Sequence, residues 1–235
     1  MMNRTIVIGD LHGCFEEALD LLDRIGPSKD DRIIFAGDLV DRGPMPRACV
    51  ELAMQYECVL GNHEEKHVQQ RKRPLRDLLP DHARTRAELG DEHLSYFASL
   101  PLTIALPEHG AVVAHAGAFP GVAMTEQDRY HLLHVQCVRP PERKSFWPSK
   151  APVGYSFWAT QWAGPERVIF GHTVLDKPFV GEHAVGLDTG CAHGGPLTAI
   201  VLPDWKLVSV HSRQPRTKTA RVAAYEVMPG VRCFS

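Results

Sequence analysis

Thr5-Ile6-Val7-Ile8-Gly9-Asp10-Leu11-His12-Gly13 joins a short apolar run to a small residue and then to side chains able to hold a metal. The same order recurs as Ile-Ile-Phe-Ala-Gly before Asp38, Cys-Val-Leu-Gly before Asn62, Ala-Val-Val-Ala before His115 and Val-Ile-Phe-Gly before His172. A looser copy, Ala184 to Leu187, precedes Asp188. Runs this short and rich in Val and Ile predict buried strands. Between the first copies, Cys14–Ile25 and Pro46–Gln55 carry apolar residues at helical spacing. Strand–helix–strand units of this length suit parallel crossovers, and open α/β sheets place ligands beyond the carboxyl ends of their strands. The spacing therefore predicts an α/β fold that delivers Asp10, Asp38, Asn62, His115 and His172 to one sheet edge.

The rest of the sequence bounds the function. At 235 residues, with 23% charged and 44% hydrophobic residues, the chain sustains a buried core and is read as one domain spanning 1–235. A formal net charge of -2 argues against a dedicated nucleic-acid or membrane-surface binder. No apolar run reaches the ~18 residues of a membrane span, and the N-terminus lacks signal-peptide features. The six cysteines form no Cys-x-x-Cys pair, so reduced thiols and a cytoplasmic location are expected. The composition is unusual in its 13 histidines. Histidine is the commonest metal ligand and the usual proton carrier near neutral pH.

Asp10, His12, Asp38, Asn62, His115 and His172 make a mixed oxygen and imidazole set. That chemistry suits divalent Mn, Fe, Zn or Co and excludes a thiolate site or an all-oxygen calcium cage. Two such ions about 3.5–4 Å apart clamp a phosphoryl group and supply a hydroxide nucleophile at neutral pH.

Gly9-Asp10-Leu11-His12-Gly13, Gly37-Asp38-Leu39-Val40-Asp41-Arg42-Gly43 and Gly61-Asn62-His63-Glu64 resemble the three signature blocks of the calcineurin-like metallophosphoesterases. His115-Ala116-Gly117, Gly171-His172-Thr173 and Asp188-Thr189-Gly190 extend the resemblance to about residue 202. The branch resembled is the one shared by Ser/Thr phosphoprotein phosphatases and symmetrical bis(5'-nucleosyl)-tetraphosphatases. The resemblance implies an αββα sandwich of two mixed sheets flanked by helices, here with a helical insert around 64–100. It implies two divalent ions, manganese first and iron, zinc, cobalt or nickel as alternatives. One would be held by Asp10, His12 and Asp38, the other by Asp38, Asn62, His115 and His172.

His63, beside Asn62, is suited to protonate a leaving oxygen, and Asp41 to keep its imidazolium charged and aimed. The family gives these positions the same roles. Arg42 offers a planar fork for phosphate oxygens. A second phosphate-binding arginine is expected from the segment after His115, with Arg139 the first choice and Arg129 the second. His193 is a candidate lining residue, and Asp188 either orients a ligand or caps a turn.

The basic residues Lys66, Arg71, Lys72, Arg73 and Arg76 read as a solvated helix face, or else as a lip for polyphosphate. Trp147, Trp158 and Trp162 read as core, with base-stacking platforms as the alternative. Arg213, Arg216, Lys218 and Arg221 read as an exposed connection before Val222–Val227. His67, His82 and His131 receive surface or packing places.

The substrate features are divided. Cys14 and Leu60, with the Asp188–Gly195 stretch, resemble the dinucleoside tetraphosphate hydrolases, whereas Asp41 and Glu64 resemble the protein phosphatases. The reading favours a diadenosine tetraphosphate (dinucleoside polyphosphate) hydrolase cleaving symmetrically. Alternatives are a Ser/Thr protein phosphatase, a broad phosphomonoesterase and a non-catalytic, metal-stabilised binding module. The partner is thus a small nucleotide or a phosphoprotein, with no membrane and no stable nucleic-acid partner.

Overall fold

The structure, a computed structural model, describes residues 3–217. Lys218, Arg221 and the stretch Val222–Val227 lie outside the described residues. The strands are β1 (Thr5–Ile8), β2 (Arg32–Phe35), β3 (Glu57–Cys58), β4 (Thr103–Leu106), β5 (Ala111–Ala114), β6 (Cys137–Arg139) and β7 (Glu142–Phe146). They continue with β8 (Ser156–Phe157), β9 (Arg167–Phe170), β10 (Phe179–Val180), β11 (Ala184–Gly186), β12 (Leu197–Leu202) and β13 (Lys206–Val210). The α-helices are α1 (Phe15–Ile25), α2 (Pro46–Ala53), α3 (Asn62–Gln69), α4 (Pro80–Glu88), α5 (Asp91–Ser99) and α6 (Arg129–His134).

Five of the six apolar phrases fall on strands, and of the Cys58–Gly61 phrase only Cys58 lies in one, β3. β1, β2 and β3 pair in parallel at the edge of a five-stranded mixed sheet, ordered β13-β12-β1-β2-β3. β5, β9 and β11 are parallel in the second, ordered β10-β11-β9-β5-β4. Period-2 side chains sort each strand between two environments. Val7 and Ile34 of the first sheet meet Val113, Ile169 and Val185 of the second in a shared core. On the opposite pleat face, Ile6, Ile8, Ile33 and Phe35 pack under Ala18 and Leu21 of α1 and Cys49, Val50 and Ala53 of α2. Helix α1 stops at Gly26, which takes the left-handed conformation (φ 58°) and donates its N–H to the Leu22 carbonyl at 2.9 Å.

The outcome is the expected α/β fold of two mixed sheets with helices outside them, and the 64–100 insert is helical through α3, α4 and α5. The outer layer of the second sheet differs from a plain helical cover. Val112, Ala114, Val168 and Phe170 pack there against Leu132 of α6, Phe157 and the fully buried Trp158. β6, β7 and β8 make a three-stranded sheet beside them. No helix of the described residues is long and apolar enough to cross a membrane.

Candidate active site

Each parallel strand ends where its neighbours' ends converge, and this explains the small residue before five of the six proposed ligands, all but His12. A Cβ on Gly171 would collide with Asp10 Oδ1, and one on Gly61 with the Asp38 backbone N and Oδ1. The turns are also tightly wound. Among the described residues, five of the six non-glycine residues with left-handed φ are His12, Asp38, Asp41, Arg42 and His172. Side chains larger than glycine rarely adopt this conformation, and such strain gathers at functional sites.

The convergence brings together every ligand expected from the sequence. Asp38 lies between two groups, with Oδ2 3.4 Å from His12 Nε2 and Oδ1 3.4 Å from His115 Nε2. Asn62 Oδ1 is 2.9 Å from His115 Nε2 and 2.8 Å from His172 Nδ1. The carboxylate of Asp10 accepts the backbone N–H of His172 at 3.0 and 3.2 Å. His12 Nδ1–H donates to the Val40 carbonyl and His115 Nδ1–H to the Ala36 carbonyl, each at 2.8 Å, which aims both Nε2 atoms at Asp38.

These residues fit a pair of divalent cations. Asp10, His12, Asp38, His115 and His172 are buried, and Asn62 is half-buried. Burial, then Asp188, pushes the Asp10 carboxyl well above its ordinary range. Burial opposes charging His115, yet Asp38 outweighs it and lifts the imidazole to about 10. Asp188 Oδ1 accepts the Gly190 N–H at 2.9 Å, whereas its buried Oδ2 has no hydrogen-bond partner among the described residues. Buried carboxylates without compensating charge are costly, and this oxygen and imidazole set suits divalent metals.

His63 Nδ1–H donates to Asp41 Oδ2 at 2.5 Å. Burial resists protonation of His63, but Asp38 and the Asp41 hydrogen bond together raise its pKa above the ordinary value. Asp41 has further neighbours that the sequence left without a role. His67 Nε2–H donates to Asp41 Oδ1 at 3.0 Å, and His82 Nε2 lies 3.1 Å from Asp41 Oδ2. Burial pushes His82 down to about 4 despite the Asp41 charge. The Asp41 carboxyl itself is held low: burial works against ionisation, and the His63 and His67 hydrogen bonds overcome it.

The Arg42 guanidinium spans His12 and His63, with one terminal nitrogen 2.6 Å from His12 Nε2 and the other 3.3 Å from His63 Nε2. Its backbone is fixed from α4, where Asp81 accepts the Arg42 N–H at 2.8 Å and Arg84 donates to the Arg42 carbonyl at 3.1 Å. Glu64 binds the adjoining turn. Its buried carboxylate accepts the N–H groups of Asp38, Leu39, Val40 and Gly61 at 2.9–3.3 Å. Burial, then Asp38, raises its pKa to about 7.

A cavity of about 320 Å³ opens over these groups, lined by Arg42, Asn62, His63, His172, Thr173, Val174, His193, Gln136, Trp147 and Pro148. His193 thus lines it as expected. Arg139 does not: exposed at the end of β6, it is drawn to Glu142 across the turn to β7 and stacks over Tyr155. Arg129, the second choice, is held by Glu65 at 2.6 Å and does not line the cavity either. The basic insert forms no lip here; Arg71 pairs with Asp91 at 3.0 Å. Trp158 and Trp162 are core, but Trp147 is 56% exposed and stands on the cavity wall. Gln136 and Trp147 carried no motif that marked them, and His67 and His82 acquire meaning only once the chain brings them to Asp41.

Residues 3–220 match the calcineurin-like phosphoesterase family. The chain is 30% identical over 235 residues to the asymmetrical bis(5'-nucleosyl)-tetraphosphatase PrpE of Halalkalibacterium halodurans, covering 89% of this chain and 94% of that protein. The enzyme of the same name from Bacillus velezensis is 28% identical over 241 residues, covering 89% and 93%. These relatives are named asymmetrical, where the sequence reading expected symmetrical cleavage. A crystal structure of a candidate diadenosine tetraphosphatase superposes with a TM-score of 0.79 at 30% identity, covering 89% of this chain and 94% of that one. A Ser/Thr phosphatase from Saccharomyces cerevisiae shares the fold, with a TM-score of 0.60 at 16% identity over 93% of this chain and 81% of that one.

Proposed function

The chain belongs to the calcineurin-like phosphoesterase family, and from that membership we propose that it hydrolyses dinucleoside polyphosphates, diadenosine tetraphosphate first among them. The observation that carries the chemistry is Asp38, a single carboxylate 3.4 Å from imidazole nitrogens on either side. Its placement supports two ions, one held by Asp10, His12 and Asp38 and the other by Asp38, Asn62, His115 and His172. When bound, such ions supply Lewis acidity and a water acidic enough to act as nucleophile at neutral pH. Manganese is the first ion to test. The core shared by the two five-stranded sheets supports a single catalytic domain.

The protein's own groups divide the remaining work. Arg42 holds phosphoryl oxygens in a planar fork. His63 gives its Nε2 proton to the leaving oxygen as the phosphorus–oxygen bond breaks, and Asp41 keeps the ring charged and aimed. Asp188 caps the turn at Gly190 and adds negative charge toward Asp10, which a bound cation would offset. The relatives' name supports asymmetrical cleavage, in which water adds at a terminal phosphorus of the bridge and diadenosine tetraphosphate yields ATP and AMP.

Chromatography of products and kcat/KM with Mn present test the reading. Release of ATP and AMP, lost on chelation and restored by Mn, is expected. Two molecules of ADP would return the cleavage to the symmetrical type. A tenfold or greater preference for a phosphothreonine peptide, about 1.4 kcal/mol of transition-state binding, would overturn the nucleotide substrate. Absence of any metal-dependent phosphate-ester hydrolysis would leave a binding module.

A further inference from the structure

Trp147 is the exposed aromatic residue that needs a reason. Its indole is 56% exposed, whereas Trp158 is fully buried and Trp162 is 4% exposed. Large exposed apolar groups on a binding-site wall mark contact with a ligand more often than chance. Among the described residues Tyr56 and Tyr130 are also large exposed aromatics, but neither lines the cavity, and Trp147 does. Its ring centroid is 6.0 Å from that of His172, tilted by 36°, so the indole stands directly beside the metal-ligand cluster.

The platform is also built firmly. Trp147 follows β7, whose Phe146 pairs with Cys137 of β6, and Pro148 beside it lines the same wall. The Trp147 carbonyl accepts the Lys150 N–H at 2.8 Å, fixing the turn in which the residue sits. A rigid aromatic face costs little ordering on binding, and nucleobases stack on such faces whatever their sequence identity.

We propose that Trp147 is the stacking platform for a nucleobase of the substrate, so that a nucleotide is bound by its phosphates at Arg42 and by its base on the indole. This rests on the reading of the protein as a nucleotide hydrolase, and it identifies the residue that separates a nucleotide from a base-free phosphate chain. Discrimination comes from the part of the cavity wall beside His172 and tolerates different bases.

The test uses the full chain loaded with Mn and compares kcat/KM for diadenosine tetraphosphate with that for inorganic tripolyphosphate. Trp147→Ala lowers the ratio about 5- to 150-fold, the range that stacking of one base supports, and Trp147→Phe restores most of it. Without metal, quenching of tryptophan fluorescence by AMP is present in the native chain and falls in Trp147→Ala. An unchanged ratio in Trp147→Ala, with wild type still favouring the dinucleotide, overturns the platform and leaves the nucleotide reading standing. Equal turnover of the two substrates by the wild type overturns both. Thermal melts of both variants confirm that they are folded, and Trp147→Phe serves if the alanine variant is not.

Discussion

The segment from α3 to α5 and the segment from α6 to β8 are both long connections between strands of the large sheets, and both approach the rim where Asp38 lies. They touch each other there, where Arg129 of α6 reaches Glu65 of α3 at 2.6 Å, but they bring different groups. The first sends His67 and His82 to Asp41, and Asp81 and Arg84 to the backbone of Arg42. Its first turn carries Asn62 and His63 onto the cavity wall, and the rest of it backs those groups away from the cavity. The second supplies Gln136 and Trp147 to the cavity wall and contributes none of the proposed ligands or the proton donor. Chemistry and recognition are therefore separable, and substitutions in the two segments should change different kinetic constants.

The largest effect belongs to the group that the first segment supports. His63→Ala lowers kcat about 10²–10⁴-fold on every phosphate ester with a poor leaving group. Metal content by elemental analysis stays at the native value. A loss confined to nucleotide substrates would blur the division between the two segments.

One step further from the substrate, His67→Phe lowers kcat about 10- to 100-fold by removing a hydrogen bond to Asp41. Steady-state kinetics check that the loss is equal for diadenosine tetraphosphate and tripolyphosphate. A changed ratio between them would mean that the helical insert reads the substrate after all.

The same support has a pH signature. Asp38 and Asp41 raise the His63 pKa against the effect of burial, so the protonated ring persists above the ordinary histidine value of 6.5 and is lost as pH rises through the folded pKa. In Asp41→Asn one raising charge is gone, and the alkaline limb of the log kcat profile moves to lower pH. A pH–rate profile shifted upward, or not at all, would remove Asp41 from this role.

On the wall the effects are smaller. Gln136→Ala changes KM for diadenosine tetraphosphate by about 5-fold, the size of one net hydrogen bond of ~1 kcal/mol, with kcat retained. A fall in kcat with KM unchanged would move Gln136 into the chemical group.

The division between the two segments also marks what the sequence could disclose. The strand phrases were legible because the apolar run, the small residue and the ligand are contiguous, so Asp10, Asp38, Asn62, His115 and His172 could be read locally. His63, Asp41 and Arg42 were legible through their blocks. His67 and His82 were not, because their purpose depends on Asp41, which is distant along the chain. Trp147 reads as core because transfer energy alone sends an indole inward, whereas the structure leaves it on the cavity wall. Arg139 is not legible locally, because an arginine's role depends on which carboxylate reaches it, and Glu142 three residues away takes it.

The left-handed backbone at His12, Asp38, Asp41, Arg42 and His172 bears on how the protein tolerates engineering. Each such position carries a cost of order 1–3 kcal/mol that a glycine would relieve. A variant library sorted by heat resistance alone would accumulate replacements at these turns and lose turnover as it gained melting temperature. Selection for durability must therefore be coupled to an activity screen, or these turns must be excluded from randomisation.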